Sequence, residues 1–308
     1  MNPIRRWQAF WFPAVPVRRL AAFRVVMASY ALVDIWLVSG FISRYSRVDD
    51  LFYRPVVLLR PLPRLGPELT TIVHVVLVVT LALALVGLFT RAALWIAAPL
   101  YLWWWATFYS FGAVHHGRIT VVAALFVLAV APARGAYSLD SLRAARRERR
   151  RGAVSVIDAR DELAGWALRV MMVVVAAAYM LAAYSKLTRS GVGWITGDAL
   201  AGAMVRKGTP AGLLLVSHDW AIHTMAALTL LLEATAWAMF LRGRIRDSYV
   251  ACAVLFHAGT LVVLNINFLG LILAYLAFYD LEVGVDRLGA WFGRRLTTQP
   301  QPRDVRLP

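Results

Sequence analysis

Long apolar runs follow one another along the chain, separated by short joints that contain glycine or charged residues. An uncharged run of 18 or more residues is long enough to cross a hydrocarbon core of about 30 Å as a helix. Residues 73–88 lack the polar–apolar alternation of a transmembrane β-barrel. The pattern therefore predicts an all-α, polytopic membrane bundle of about eight transmembrane helices. The predicted helices occupy residues 17–39, 68–88, 92–110, 119–133, 163–187, 219–241, 248–264 and 267–284.

Composition agrees with a membrane protein and limits its chemistry. Of the 308 residues, 60% are hydrophobic and 16% are charged, which is a low charge content for a soluble domain. Cys252 is the only cysteine, so an internal disulfide, a CxxC redox pair and a cysteine-rich metal site are excluded. No metal is expected at His218 and His223, because their spacing does not place them on one helical face. The apolar run near Leu20 lacks a small-residue cleavage site and is expected to remain as the first helix.

The net charge of +16 is distributed unevenly along the predicted bundle. Most arginines fall at the N-terminal end (segment 1–16 and the start of the first helix), in the loop 134–162 and in the tail 285–308. The positive-inside rule then predicts that both termini are cytoplasmic, on either side of a membrane domain at 17–284. The basic loop is expected to contact anionic lipid headgroups, with binding of a protein partner as the alternative. No nucleic-acid module accompanies the charge, so nucleic acid is not an expected ligand.

A surface helix is predicted within the basic loop. Ser138-Leu139-Asp140 precedes its arginine-dense run, and serine and aspartate side chains accept hydrogen bonds from the free amides at a helix start.

Several polar side chains fall inside the predicted helices. A charged group at the centre of a bilayer costs several kcal/mol, about 2.5 to 3.5 even on insertion scales, so it requires a partner, a wet cavity or a function. Arg24 and Asp34 are separated by roughly 15 Å along a helix and cannot pair with each other. The candidates are Arg24, Asp34, Arg169, Lys186, Glu233 and His257.

Lys186 is the candidate with the most direct chemical use. It is one of two lysines in a chain that otherwise uses arginine, and Tyr179 lies on its helical face. Desolvation favours the neutral amine of lysine, which can act as a base, whereas arginine stays protonated. The alternative is that Lys186 extends to the headgroups at the helix end.

Histidines and one carboxylate accompany this lysine. His115 and His116 begin the loop before the fourth helix, on the membrane face predicted for the Lys186 end of the fifth, although they are equally consistent with interfacial histidines without chemistry. Glu233 and His257 lie near the middle of their helices, where extension to the headgroups is harder. They form either a structural contact between helices or one polar cavity that continues from Lys186.

Local patterns in a fixed order give the chain a family resemblance. In order, these are Arg19-Leu20-Ala21-Ala22-Phe23-Arg24, Gly87-Leu88-Phe89-Thr90-Arg91, His115-His116, Tyr137-Ser138-Leu139-Asp140, Ala182-Ala183-Tyr184-Ser185-Lys186-Leu187, Trp194-Ile195-Thr196-Gly197 and Phe256-His257. The set resembles the HTTM family, the bacterial relatives of the transmembrane domain of vitamin K-dependent γ-carboxylase, over roughly residues 17 to 284. This resemblance implies a location in a bacterial inner membrane.

The resemblance implies quinol chemistry driven by a base. Lys186 matches the catalytic lysine of the carboxylase, and His116 is the closest match to its histidine for quinone epoxidation. Lys186 and His116 are therefore the expected catalytic residues. The expected cofactor is a reduced naphthoquinone, either menaquinol or vitamin K hydroquinone. Its expected binding residues are His115, Tyr179, Trp194, Glu233 and His257.

The match departs from the carboxylase in three places, the first being a longer segment from Lys186 to Trp194. Ser185 stands where the carboxylase has a second lysine, and the chain ends soon after the last predicted helix, so the lumenal domain for peptide binding is not expected. The resemblance therefore implies quinol oxidation or epoxidation more directly than a carboxylase-like lyase activity on an unknown substrate. The alternative is a non-enzymatic membrane protein for secreted-peptide maturation, or for lipid or peptide binding.

Overall fold

The computed structural model describes residues 2–112, 116–133, 135–150, 159–196 and 198–287. Its architecture is all-α, as predicted, with helical segments at each of the predicted positions. The α-helices are α1 Pro3–Trp11, α2 Val17–Tyr45, α3 Pro67–Val86, α4 Thr90–Tyr109, α5 Ile119–Val130, α6 Leu139–Arg150, α7 Glu162–Ser190, α8 Asp198–Lys207, α9 Pro210–Val216, α10 Asp219–Ala234, α11 Arg244–Leu264 and α12 Leu269–Ala274. Residues 281–287 are also helical.

Four of the described helices are long and apolar enough to cross a membrane. α9 and α10 together would make a fifth span, but they are bent by 109° at their junction. α5 and the segment that begins with α12 are shorter apolar helices. The protein is a membrane protein, and helix length and composition account for four or five of the about eight predicted spans. The four long spans are Val17–Leu37, Pro67–Val86, Glu162–Trp194 and Arg244–Leu264.

Two predicted helices end earlier than the apolar pattern suggests. α10 stops at Ala234 and continues as a 3-10 helix, Ala236–Phe240, where the predicted helix ran to 241. The Thr235 hydroxyl donates to the carbonyl of Leu231 at 2.7 Å, a side-chain bond that often bends helices. The final predicted helix is likewise split, with a 3-10 helix, Tyr275–Phe278, after α12.

The break between α11 and α12 is a tight turn. Asn265 has φ +50°, a left-handed conformation that asparagine tolerates and that ends a helix. Asn267 then accepts a hydrogen bond from the amide of Leu269 at 2.8 Å. The turn directs α12 back into the bundle, where it packs against α5, α2 and α7.

The start of α7 is fixed against the N-terminal segment. A two-residue antiparallel ladder pairs Val15–Pro16 with Arg160–Asp161, directly before α7. Asp161 accepts a hydrogen bond from the amide of Ala164 at 2.9 Å and so caps the helix. Gly165 then passes so close to the carbonyl of Pro13 that a Cβ would lie 1.6 Å from its oxygen. These contacts anchor the helix that carries Lys186.

The side chain of Arg24 contacts the joint between α5 and α6, which contains Ala133 and Tyr137 and lies on the side predicted to be cytoplasmic. Its guanidinium donates to the carbonyls of Ala133 at 3.1 Å and Tyr137 at 2.5 Å. The side chain is fully buried, so backbone dipoles rather than water solvate its charge. The expectation that Arg24 and Asp34 do not pair is confirmed by these partners.

Asp140 connects the same joint to α4. Its carboxylate accepts hydrogen bonds from the amides of Phe89 at 3.1 Å and Thr90 at 2.9 Å, at the N-terminus of α4. Its own amide donates to the carbonyl of Gly87 at 2.9 Å. The predicted helix start at 138–140 is confirmed: Ser138 caps α6 by accepting from the amide of Ser141, while Asp140 caps α4.

Candidate functional site

A cavity of about 850 Å³ lies between α7, α10 and α11. This volume falls in the range of small-molecule sites, and its walls are mainly apolar, as such sites usually are. Five residues that the sequence predicts for catalysis or ligand binding line this cavity. They are Tyr179, Lys186, Trp194, Glu233 and His257.

Lys186 and Glu233 form an ion pair at this cavity. The ammonium nitrogen lies 2.6 Å from each carboxylate oxygen, although the two residues are 47 positions apart in sequence. The two side chains are 18% and 8% exposed. Glu233 therefore has a partner of the kind that a charged group inside a predicted helix requires, and Lys186 extends to this carboxylate rather than to headgroups.

Trp194 covers the ion pair. The Lys186 nitrogen lies 5.0 Å from the centre of its ring, within the range of a cation–π contact. The indole nitrogen of Trp194 is buried and has no hydrogen-bond partner among the residues that the structure describes. An unsatisfied buried donor costs about 1–3 kcal/mol, so an acceptor on a bound molecule would stabilise this arrangement.

Two tyrosines and a histidine form a second polar cluster at the cavity. Tyr179 precedes Lys186 by two helical turns, about 10 Å along α7. Its hydroxyl contacts the Nε2 atom of His257 at 2.5 Å and also bonds the hydroxyl of Tyr275. The ring of Phe268 packs on the His257 ring, with 4.6 Å between centroids. The cluster thus combines groups from three separate segments of the chain.

The predicted histidine pair is adjacent to this cluster. His115 lies outside the described residues, and His116 begins a 3-10 turn, His116–Arg118, before α5. The next residue, Gly117, meets Phe268, because a Cβ there would lie 3.0 Å from its ring. Phe268 lines the cavity, so the turn that carries His116 packs against the cavity wall.

Arg118 anchors that turn. It contacts the Asp34 carboxylate at 3.0 Å, and Tyr101 donates to the same carboxylate at 2.7 Å. The guanidinium also lies 3.6 Å from the centre of the Trp105 ring. The buried carboxylate on α2 and the aromatic face on α4 therefore fix the start of α5 and the turn before it.

Sequence reasoning missed Tyr275, Phe268 and the role of Arg118. Tyr275 and Phe268 carry no charge, and the apolar pattern gives an aromatic residue no distinguishing signal in a membrane helix. Arg118 precedes the predicted fourth helix, in a loop where an arginine by itself does not indicate a buried partner. The signal that could have revealed it was Asp34, since a carboxylate predicted inside the membrane requires a partner.

The fold and the cavity define a helical membrane protein with a buried lysine–glutamate pair. The chain matches the HTTM domain over residues 12–280 and therefore belongs to the HTTM family, as its local patterns indicated. The HTTM domain is the membrane domain of vitamin K-dependent carboxylase-type proteins. No protein of curated function and no solved structure matches the chain.

Proposed function

We propose that this cavity binds a reduced naphthoquinone and that Lys186 is the general base for its oxidation or epoxidation. The observation that carries the proposal is the placement of Lys186 in an apolar cavity, paired with Glu233 and next to the unsatisfied donor of Trp194. The residues fit such a ligand: the walls suit its rings, and the indole N–H suits a ring oxygen. The quinol would supply the electrons for reduction of O2.

Glu233 has a defined part in this proposal. A lysine acts as a base only as the neutral amine, and a carboxylate at 2.6 Å stabilises the ammonium form. The proton that Lys186 must release can pass to Glu233 within the pair, with no net change of charge in the cavity. Lys186 then accepts the proton of the ligand hydroxyl, and the pair returns its surplus proton to solvent.

His116 is the second proposed catalytic residue, for stabilising the oxygen anion of the deprotonated ligand. The support is that its turn packs against Phe268 at the cavity wall and that Arg118 holds the turn in place. The cluster of Tyr179 and His257 would then orient the ring of the ligand. Coupling to carboxylation of a further substrate, as a lyase, belongs to the same proposal.

The test is oxygen uptake with a reduced menaquinone analogue in nanodiscs. Lys186→Arg should keep the charge and the fold but abolish uptake, because arginine cannot lose its proton. The other lysine, Lys207, is exposed, so the control variant Lys207→Arg should leave uptake unchanged. Lys186→Ala should be partly rescued by small amines, and His116→Ala should slow uptake. Wild-type turnover in Lys186→Arg would refute the assignment of the base.

A non-enzymatic function is the second candidate, and the ion pair is the observation that favours it. Glu233 compensates the charge of Lys186 in the described structure, which suits a cavity that binds a lipid or a peptide without turnover. In that case the wild type would consume no oxygen with any reduced quinone, while a molecule from the membrane would copurify in the cavity.

The proposal includes a topology with about eight spans, both termini in the cytoplasm and the Lys186 end of α7 outside, in a bacterial inner membrane. The uneven distribution of arginine supports it. A cysteine introduced at Ala145 in α6, with Cys252 replaced by serine, should react with a membrane-impermeant maleimide only in opened cells. Labelling in intact cells would reverse the orientation.

A further inference from the structure

The N-terminal helix α1 presents an apolar face that is largely open. Ile4, Trp7 and Trp11 recur every three or four residues along it, whereas Arg5 and Arg6 lie off this face. Ile4 and Trp7 are 63% and 64% exposed, and the Trp7 ring packs edge-on against that of Trp11 at 5.6 Å. A helix with tryptophan on one side and arginine on the other is typical of one that lies in the surface of a membrane.

An arginine holds α1 against the first turns of α7. The Nε atom of Arg169 donates to the carbonyl of Phe10 at 2.9 Å, and the guanidinium lies 4.6 Å from the centre of the Phe10 ring. That ring also packs on Phe240, in the 3-10 helix that follows α10, with 6.1 Å between centroids. The junction of α1, α7 and this 3-10 helix therefore lies at the end of the bundle that is predicted to be cytoplasmic.

This junction brings two arginines together without a counter-charge. Arg169 is half-buried, and Arg242 lies close enough for the two positive charges to repel each other. Neither forms an ion pair with any residue that the structure describes. Two acidic residues at this end are already engaged, since Asp161 caps α7 and Asp247 pairs with Arg246. The two guanidinium groups thus have donors left for an anion such as phosphate.

We propose that Arg169 and Arg242 bind the phosphate of an anionic phospholipid and that α1 lies in the membrane surface beside it, with Ile4 and Trp7 inserted. This site is separate from the basic loop 134–162. It also lies outside the cavity, since neither arginine lines it, and it does not depend on the proposed reaction.

The charge of the junction selects an anionic lipid. Residues 1–16 contain Arg5 and Arg6 but no acidic residue, so α1 adds positive charge to that of Arg169 and Arg242. A zwitterionic headgroup carries its own cation next to its phosphate, whereas a lipid with a net negative charge is attracted to such a cluster.

The apolar groups select a lipid rather than a soluble anion. Free phosphate would satisfy the arginines but would leave Ile4 and Trp7 in water. Trp237, one turn before Phe240 in the same 3-10 helix, is also 55% exposed. Tryptophan concentrates at the headgroup level of membranes, so a lipid surface covers all three side chains and supplies the phosphate as well.

The test uses photo-crosslinking in phosphatidylcholine nanodiscs that contain a trace of phosphatidylglycerol with a diazirine near its headgroup. Phosphatidylcholine with the same diazirine is the matched probe. Mass spectrometry measures the label on residues 3–11 and 163–175. Because two basic residues bind the phosphate, phosphatidylglycerol should label both segments of the wild type at least about tenfold more strongly.

Three arginine variants examine the charge. Arg242→Gln changes an exposed side chain and should lower the preference for phosphatidylglycerol about fivefold, the contribution of one basic residue at an anionic surface. Arg169→Gln should have a similar effect, because glutamine retains a donor for the carbonyl of Phe10. Arg206→Gln, at an exposed arginine of α8, is the control and should leave the preference unchanged. Unfolding midpoints near that of the wild type show that the fold is retained.

A further variant examines the apolar face. Ile4→Ser combined with Trp7→Ser should lower the label on residues 3–11 from both probes, because α1 then no longer inserts. Unchanged label on this segment would refute the position of α1 in the membrane surface.

Three other outcomes would overturn the phosphate site. These are equal labelling by the two probes in the wild type, an unchanged preference in both Arg242→Gln and Arg169→Gln, and loss of the label when potassium phosphate replaces potassium chloride at equal ionic strength. The last result would assign the arginines to a soluble anion.

Discussion

The ammonium nitrogen of Lys186 lies at the same distance, 2.6 Å, from both carboxylate oxygens of Glu233. The only lysine among the long helices and a buried glutamate therefore form one unit, and neither charge is left uncompensated in the apolar interior. The pair also affects stability, because removal of one member leaves the other as a buried, unpaired ion.

Loss of one member of the pair should destabilise the protein more than loss of both. Glu233→Ala strands the lysine and should cost about 3–5 kcal/mol, whereas the double variant Lys186→Met/Glu233→Leu should recover most of that loss. Thermal unfolding in one detergent measures both. A double variant that is less stable than Glu233→Ala would contradict the interpretation.

The two tyrosines of the cluster should contribute unequally to the unfolding free energy. Tyr179→Phe removes two hydrogen bonds at once, to His257 and to Tyr275, while Tyr275→Phe removes one. Each bond contributes about 1 kcal/mol, so Tyr179→Phe should lower the unfolding free energy by about twice as much. Urea or thermal unfolding in mixed micelles checks the order. Equal losses would show that Tyr179 and His257 do not interact.

Asp140 should make the protein sensitive to acid. Partial burial acts to raise its pKa, but hydrogen bonds from Thr90 and Phe89 outweigh burial, and the pKa lies below its usual value. A group with a lowered folded pKa stabilises the fold above its unfolded pKa of about 4, and this contribution is lost as the pH falls through the folded value. The thermal unfolding midpoint should therefore decrease as the pH is lowered below about 4.

Asp140→Asn isolates that contribution. The amide keeps one acceptor but loses the charge at the N-terminus of α4, which should cost about 1 kcal/mol at neutral pH. The variant should lose less stability than the wild type between about pH 4 and pH 2. It should retain part of the acid sensitivity, because the buried carboxylate of Glu282 pairs with Arg19 at 2.6 Å and loses this pair when acid protonates it. Parallel pH profiles for the variant and the wild type would exclude this role.

Gly165 should tolerate no side chain. A Cβ at this position would lie 1.6 Å from the carbonyl oxygen of Pro13, so Gly165→Ala must displace α7 or the N-terminal segment. The expected loss is at least 2 kcal/mol, as for other overpacked sites. Gly259→Ala, in α11 with open space around it, is the control and should be neutral or slightly stabilising. The measurement is the unfolding midpoint, and comparable midpoints for both variants would contradict the close approach.

The sequence predicts the long helices because an apolar run excludes most alternatives in a membrane. It does not predict α1, α8 or α9, which are short and contain glycine, proline or several polar residues. It also identifies the polar residues that require partners, since the cost of burial applies to each residue separately. The pairing of Lys186 with Glu233, and of Asp34 with Arg118, depends on how helices far apart in sequence meet. No local pattern carries that information.

The joint of Arg24, Gly87, Tyr137 and Asp140 has a consequence for how relatives of this chain are interpreted. Three of the sequence patterns that indicate the family meet in this joint, and none of its four residues lines the cavity. The joint preserves the arrangement of helices, whereas the proposed reaction depends on Lys186 and Glu233. A relative could exchange the lysine, lack the proposed reaction and still carry the family signature. Shared ancestry and the proposed catalysis are therefore recorded at different places in this molecule.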